Sequence, residues 1–186
     1  MPKLVSHAHA DARQIQRFGT WLARSCGLLV WGLPLALLVF WLMADSSSLA
    51  VSAKLRATDI RQPLQYWQRW AAAGLIGVPI VLLCAGLWQA RQCFAGFASG
   101  QVFTSQAVRC MRHFAAFIFA SVLASLIVVP CLAVLLTLYN PEGQRMVTIA
   151  LDSFHVFTFF FAAVVWLMAA IIGQGQMLAE DNASIV

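Results

Sequence analysis

Four long apolar stretches alternate with short polar segments along the chain, and this alternation predicts the architecture. The stretches run from Ser25 to Ala44, from Trp70 to Ala90, from Phe114 to Leu138 and from Ser153 to Ile172. Each is long enough to cross a bilayer as a helix, which takes about 20 mostly apolar residues. None of them contains Asp, Glu, Lys or Arg. The pattern predicts an all-α integral membrane bundle of four transmembrane helices over residues 25–172.

Composition supports this prediction. Hydrophobic residues make up 61% of the chain and charged residues 10%, against roughly 45–50% and about 25% in soluble domains. A water-soluble domain of 186 residues cannot bury that much apolar surface, so the expected solvent is lipid. The net charge of +5 is spread over short segments beside the spans, where it favours anionic headgroups. A nucleic-acid-binding surface would require clustered charge, so direct nucleic-acid binding is not expected.

The first apolar stretch is expected to be an uncleaved anchor. The small residues of "SLAVSA" after it resemble a cleavage site, but 24 residues precede the stretch, and it exceeds a typical 7–15-residue signal-peptide core. Within residues 1–24, Ile15, Phe18 and Leu22 share one helical face. This segment either lies in the membrane interface or simply continues the first helix.

Basic residues predict the orientation, because Lys and Arg are retained on the cytoplasmic side. Seven lie in the N-terminal segment and the second connection: Lys3, Arg13, Arg17, Arg24, Arg91, Arg109 and Arg112. Five lie in the other two connections: Lys54, Arg56, Arg61, Arg69 and Arg145. The difference favours both termini on the cytoplasmic side, with residues 173–186 as a cytoplasmic tail.

Prolines and small residues inside the spans indicate how the helices bend and pack. Pro34, Pro79 and Pro130 are expected to kink their helices, which membrane proteins tolerate when neighbours satisfy the freed carbonyls. Two small-residue pairs offer surfaces for close helix contact, namely Gly74 with Gly77 and Ser121 with Ser125.

Ionisable residues near the spans are the candidates for function, since a charge in the membrane interior often couples to transport. Asp152 and His155, at the start of the fourth span, are the two candidates. A haem between helices needs histidines that converge on one iron. His113 and His155 are expected near opposite surfaces, so no haem or other cofactor is predicted.

The remaining reactive residues give no catalytic signature. "HAHAD" at His7–Asp11 could chelate a metal, but near a terminus a mobile tail is the expected reading, so no metal site is predicted. The chain contains no HExxH, CxxC, GxSxG or P-loop pattern. Cysteines 26, 84 and 131 are expected to pack as small apolar residues. Cys93 and Cys110 fall on the predicted cytoplasmic side, where thiols stay reduced.

The segment between Cys93 and Cys110 predicts a helical hairpin. Gly100 suits the left-handed position after a helix end, and Thr104 or Ser105 can cap the next helix. Arginines flank the turn. The hairpin is therefore expected to project about two turns beyond the membrane.

This hairpin resembles a family of bacterial membrane proteins catalogued as domain of unknown function 2975. The matching hairpin residues are Phe94, Gly100, Phe103, Thr104 and Arg109, and the matching tail residues are Gly175, Leu178, Glu180, Asp181 and Val186. The chain departs from the pattern at Gln101, where a lysine is common, and at Val102, where a proline is common. The resemblance implies a four-helix protein of the bacterial inner membrane with a regulatory or accessory role, and it supplies no catalytic residues.

Three functions follow as hypotheses. The leading one is a non-enzymatic regulatory, sensing or accessory protein that acts through contacts with a protein partner or with further copies of itself. The second is a small oligomeric transporter or channel subunit, with a pathway lined by Ser121, Ser125, Thr137, His155 and Thr158. The third, a redox or lipid-modifying enzyme, depends on Asp152, His155 and the hairpin thiols.

Overall fold

The computed structural model describes residues 2–43, 46–56, 65–99, 104–141, 145, 147–149 and 151–184, with side chains from residue 16 onward except at 46, 47, 176 and 178–184. All regular structure in these ranges is helical, which confirms the all-α prediction. The helices are α1 (Pro2–Met43), α2 (Ser46–Ser52), α3 (Tyr66–Ala98), α4 (Ser105–Leu136) and α5 (Ser153–Ser184).

Four of these helices contain segments long and apolar enough to cross a membrane, which confirms the predicted number of spans. The segments are Gln16–Met43, Tyr66–Ala98, Ser105–Leu136 and Ser153–Gly175. Pro34, Pro79 and Pro130 lie inside α1, α3 and α4 as expected. The hydroxyl of Ser121 on α4 donates to the carbonyl of Pro79 at 2.7 Å. This bond joins α4 to α3 beside the proline, although the carbonyl that Pro79 leaves without an amide partner is that of Leu75, four residues earlier.

The four long helices pack in a row rather than around a common centre. Through the described residues, α3 contacts α1 on one side and α4 on the other, α4 also contacts α5, and α1 touches neither α4 nor α5. Neighbours run antiparallel, since Gly19 on α1 faces Ala98 on α3 while Val30 faces Cys84. Each helix therefore keeps a broad apolar face outward, with side chains such as Trp31 77% exposed.

The N-terminal segment continues the first span as one helix. At a rise of 1.5 Å per residue, the 42 residues of α1 measure about 63 Å, roughly twice the thickness of the hydrocarbon core. Of the two interpretations of residues 1–24, a continued helix is the one observed. The tail residues 173–184 likewise belong to α5.

The two ends of the row differ. We call the end with the α3–α4 turn, between Ser99 and Thr104, the hairpin end, and the opposite end the α2 end. At the α2 end, a buried apolar cluster joins α2 to α3 and α4. Its members are Leu49, Ala50, Ala53, Leu55, Ala72, Leu132, Ala133 and Leu136, with Trp41 of α1 packed against them. This cluster is the main apolar core within the described chain.

The end of α2 is a left-handed turn built on a lysine. Lys54 has a φ of 56°, and the amide of Leu55 donates to the carbonyl of Ala50 at 2.9 Å. The amide of Lys54 donates to Val51 at 3.0 Å. This is the hydrogen-bond pattern of the Schellman motif, in which glycine is the usual left-handed residue. Leu55 then enters the apolar cluster.

The predicted close contact at Gly74 and Gly77 is wrong within this chain, because a side chain at either position would meet open space. Close approach occurs instead at Gly86, where an added Cβ would lie 3.2 Å from the Cβ of Phe117. It also occurs at Gly19, where an added Cβ would lie 3.1 Å from backbone atoms of α3. The helices approach where the antiparallel register brings small residues opposite bulkier ones.

Candidate functional site

The hairpin end is closed by hydrogen bonds at both helix termini. The amide of Ser99 donates to Ala95 and Gly96, each at 3.2 Å, and so ends α3. The hydroxyl of Thr104 accepts from the amide of Ala107 at 3.2 Å and so begins α4. Of the two predicted capping residues, Thr104 is the one used. Gly100 and Phe103, the other family residues of the turn, lie outside the described residues.

The remaining family residues occupy different surroundings. Phe94 is half-buried, and its ring meets that of Phe97 edge-on at a centroid distance of 6.3 Å. Arg109 is exposed on the first turns of α4. Gly175 is exposed and Leu178 lies in the last turns of α5. Val186 lies outside the described residues. The described residues of the hairpin and of the tail thus sit at the same end of the row.

A polar cleft opens between α3 and α4 at the hairpin end. It has a volume of about 380 Å³ and adjoins a smaller cavity of about 130 Å³ at the turn. Its walls combine amide, hydroxyl, cationic and imidazole groups from Gln89, Gln92, Ser105, Gln106, Arg109 and His113. We call this feature the hairpin cleft. Its amide and hydroxyl donors and the cation of Arg109 complement acidic or amide groups.

Two cysteines lie under the hairpin cleft. Cys93 on α3 and Cys110 on α4 are both buried and are not joined in a disulfide, and their reduced state in the cell stays a prediction. The thiol of Cys110 lies 3.9 Å from the side-chain oxygen of Gln92, a weak contact. Cys26 is buried, as expected for a small packing residue. Cys131 is exposed on the apolar face of α4, so the expectation that it packs within the chain is wrong.

Asp152 and His155 belong to a second polar group, at the start of α5. The amide of Asp152 donates to Nδ1 of His155 at 3.3 Å, which leaves the proton of a neutral imidazole on Nε2. Nε2 lies 3.2 Å from the hydroxyl of Ser125 on α4, and that hydroxyl donates to the carbonyl of Val122 at 2.7 Å. This chain of donors and acceptors satisfies each group in turn and connects α5 to α4.

The carboxylate of Asp152 forms an ion pair with Lys54. The two side chains meet at 3.1 Å, and each is about half exposed. The pair links the end of α2 to the start of α5, two segments 98 residues apart in sequence. The sequence prediction named Asp152 but missed its partner, which follows the first span while Asp152 precedes the fourth.

Gln68 is a polar residue whose role sequence reasoning also missed. It is 2% exposed, and its side-chain amide donates to the carbonyl of Leu135 on α4 at 2.8 Å. Its side-chain oxygen accepts from the amide of Gln65 at 2.9 Å. Gln68 thus caps α3 and joins it to α4. The spacing of Gln65 and Gln68 matches a capping box, a pattern legible in the sequence.

The histidines with described side chains do not converge. His155 contacts Ser125, and His113 lies 12 residues earlier on the same helix, a separation of about 18 Å along α4. Across the described part of the chain, no group of three or more His, Cys, Asp or Glu side chains could hold a metal ion. The side chains of the "HAHAD" segment lie outside the described set.

Comparison with known proteins places the chain in a family. No curated protein and no solved structure matches it. A family model described as "Protein of unknown function (DUF2975)" matches residues 54–186, a range that begins at Lys54 and includes α3, α4 and α5. Since this match covers well over half of the chain, the protein belongs to the DUF2975 family, whose function is unknown.

Proposed function

We propose that this protein is a non-enzymatic regulatory or accessory protein of the bacterial inner membrane, with both termini and the hairpin end in the cytoplasm. The hairpin cleft is the observation that carries the proposal. It is the place where polar, exposed side chains from two helices surround an open space that another molecule can enter. The partner is a cytoplasmic protein or the cytoplasmic segment of another membrane protein.

The contacts that α3 and α4 make beside the hairpin cleft support this role. α3 and α4 are closed by Ser99 and Thr104, and they pack closely at Gly86. Polar groups on rigid elements are presented to a partner at low entropic cost. Arg109 supplies a cation that can form two hydrogen bonds to one carboxylate.

The hydrogen bonds of the hydroxyl side chains in the spans favour a regulatory or accessory role over transport. Ser121 and Ser125 donate to backbone carbonyls, and Thr158 donates to the carbonyl of Phe154 in its own helix. The bond of Ser121 joins α4 to α3, those of Ser125 and Thr158 stay within their own helices, and all three hydroxyl protons are used inside the protein rather than offered to a solute. The row arrangement also leaves no common centre among the described helices.

Site-specific photo-crosslinking in native membranes tests the proposal. A photoreactive residue at Gln106, an exposed wall of the hairpin cleft, is expected to give a discrete protein adduct. Arg109→Glu should abolish that adduct, whereas the same charge change at Arg145, at the α2 end, should leave it intact. If Gln106 gives no protein adduct, or if the adduct persists in Arg109→Glu, the hairpin cleft is not the contact surface.

A small transporter or channel subunit is the second candidate. The observation in its favour is the bond between His155 and Ser125, which places an ionisable side chain between two apolar helices. In this function several copies would form the pathway. Solute flux into liposomes that is lost in His155→Ala but retained in Thr158→Ala would favour this candidate over the regulatory one.

A further inference from the structure

A second groove, between α1 and α3, has a different chemistry from the hairpin cleft. It has a volume of about 550 Å³. Two arginines, Arg24 and Arg91, form one part of its wall, and Leu28 and Trp31 form another. We call this feature the arginine groove. Its α1 wall lies outside residues 54–186, the range that the family model matches, and its α3 wall lies inside that range.

The two arginines lie at the same level of the membrane. Arg24 directly precedes the apolar stretch of α1, and Arg91 directly follows that of α3. Because α1 and α3 run antiparallel, with Gly19 facing Ala98, both guanidinium groups fall at one boundary of the hydrocarbon core. Leu28 and Trp31 follow Arg24 by four and seven residues, so they lie on the same face of α1 but deeper in the membrane.

Arg91 is held in place by its neighbours. Its guanidinium carbon lies 5.0 Å from the ring centre of Trp88, within the range of a cation–π contact. An added Cβ on Gly27 would lie 3.5 Å from Nε of Arg91. The side chain of Arg91 therefore crosses α1 at Gly27, which has no side chain of its own. The arginine is thereby held against α1 in the wall of the groove.

The positive charge of the arginine groove is not matched by a carboxylate within the described chain. The acidic residue whose side chain is described, Asp152, pairs with Lys54 at the opposite end. Leu28 and Trp31 are 76% and 77% exposed. A ligand that complements this surface carries an anionic group at the membrane boundary and a long apolar group below it.

We propose that the arginine groove binds one anionic phospholipid, with its phosphate between Arg24 and Arg91 and an acyl chain against Leu28 and Trp31. Arginine forms paired hydrogen bonds with phosphate oxygens. Basic pockets between transmembrane helices are known to select anionic headgroups. This site is separate from the hairpin cleft, and its occupant is a membrane lipid rather than a soluble anion or a protein.

Native mass spectrometry of the detergent-purified full chain with added phosphatidylglycerol tests the proposal. The parent protein should retain one phosphatidylglycerol and retain phosphatidylcholine poorly. Arg24→Gln together with Arg91→Gln should weaken retention about twenty-five-fold, with about fivefold from each arginine. The matched double variant of Arg17→Gln and Arg145→Gln, at exposed positions outside the groove, should bind as the parent does.

Gly27→Leu provides a second variant that keeps both charges. The larger side chain would displace Arg91 from its path across α1, so phosphatidylglycerol retention should fall about fivefold. Unchanged retention in the double arginine variant would overturn the proposal, as would equal retention of phosphatidylcholine by the parent. Displacement of the lipid by an excess of inorganic phosphate would show a small-anion site instead and would also overturn it.

Discussion

The imidazole of His155 lies 3.2 Å from the hydroxyl of Ser125, and this contact sets the register between α5 and α4. Further along the pair, an added Cβ on Gly173 would lie 3.4 Å from the side chain of Val108. Together these contacts place the start of α5 level with about residue 127 of α4, roughly 14 Å short of the end of that helix. The fourth span is therefore displaced toward the hairpin end.

We expect the bond between His155 and Ser125 to contribute measurably to the packing of α5. His155→Ala and Ser125→Ala should each lower the free energy of unfolding in detergent micelles. A double-mutant cycle should give a coupling of about 0.6 kcal/mol, and at most about 1.7 kcal/mol, as found for hydrogen bonds between membrane helices.

Thr158→Ala is the matched control for this cycle, because Thr158 donates to the carbonyl of its own helix. Its effect should add to that of Ser125→Ala without coupling. A zero coupling between His155 and Ser125, measured by the same denaturant titration, would contradict the register described above.

Lys54 combines an ion pair with a left-handed backbone, and two substitutions separate their effects. Lys54→Ala removes the pair with Asp152 but keeps a side chain at a φ of 56°. Because both partners are about half exposed, this loss should cost no more than about 1 kcal/mol. Lys54→Gly also removes the pair but relieves a strain of about 1–2 kcal/mol.

Lys54→Gly should therefore unfold at a higher temperature than Lys54→Ala, and thermal denaturation followed by circular dichroism in micelles measures the difference. Asp152→Asn tests the ion pair alone and should resemble Lys54→Ala. Equal melting temperatures for the Ala and Gly variants would mean that the left-handed turn at the end of α2 is not formed.

Gly19 is expected to be essential for the contact between α1 and α3. A side chain there would meet backbone atoms of α3 at 3.1 Å, and backbone cannot move aside without separating the helices. Gly19→Val should lower the unfolding free energy by about 1–3 kcal/mol. Gly74→Val makes the same change in a helix at a position facing open space, so it should have little effect. Similar losses in the two variants would argue against the close approach.

The spans could be predicted from the sequence because their signal is strong and local. A run such as Phe114–Leu138, with no charged residue, allows few structures other than a membrane helix. The cap at Thr104 was also predictable, since the hydroxyl precedes α4 by one residue. Each of these features depends on residues that are close together in the sequence, so one sequence is enough to predict it.

The packing between helices was harder to predict from the sequence than the helices themselves. Gly74 and Gly77 have the residue types of a contact surface but face open space, whereas Gly86 and Gly19 form the contacts. Residue type alone does not give the register of two antiparallel helices, and the register decides which small residue meets a neighbour. The same limit explains why the partners of Gln68 and Asp152 were not predicted.

The central claim is that the hairpin end faces the cytoplasm and the α2 end faces the opposite side. Labelling of single added cysteines with a membrane-impermeant maleimide tests it most directly. The parent protein, labelled in parallel, measures the background reaction of its own cysteines. Ser99 and Val147 are exposed residues at the hairpin end and in the α4–α5 connection, respectively. In intact spheroplasts, Val147→Cys should react at once, and Ser99→Cys should react after the membrane is permeabilised. Reaction of Ser99→Cys in intact spheroplasts, with Val147→Cys protected, would reverse the orientation and contradict a cytoplasmic hairpin cleft.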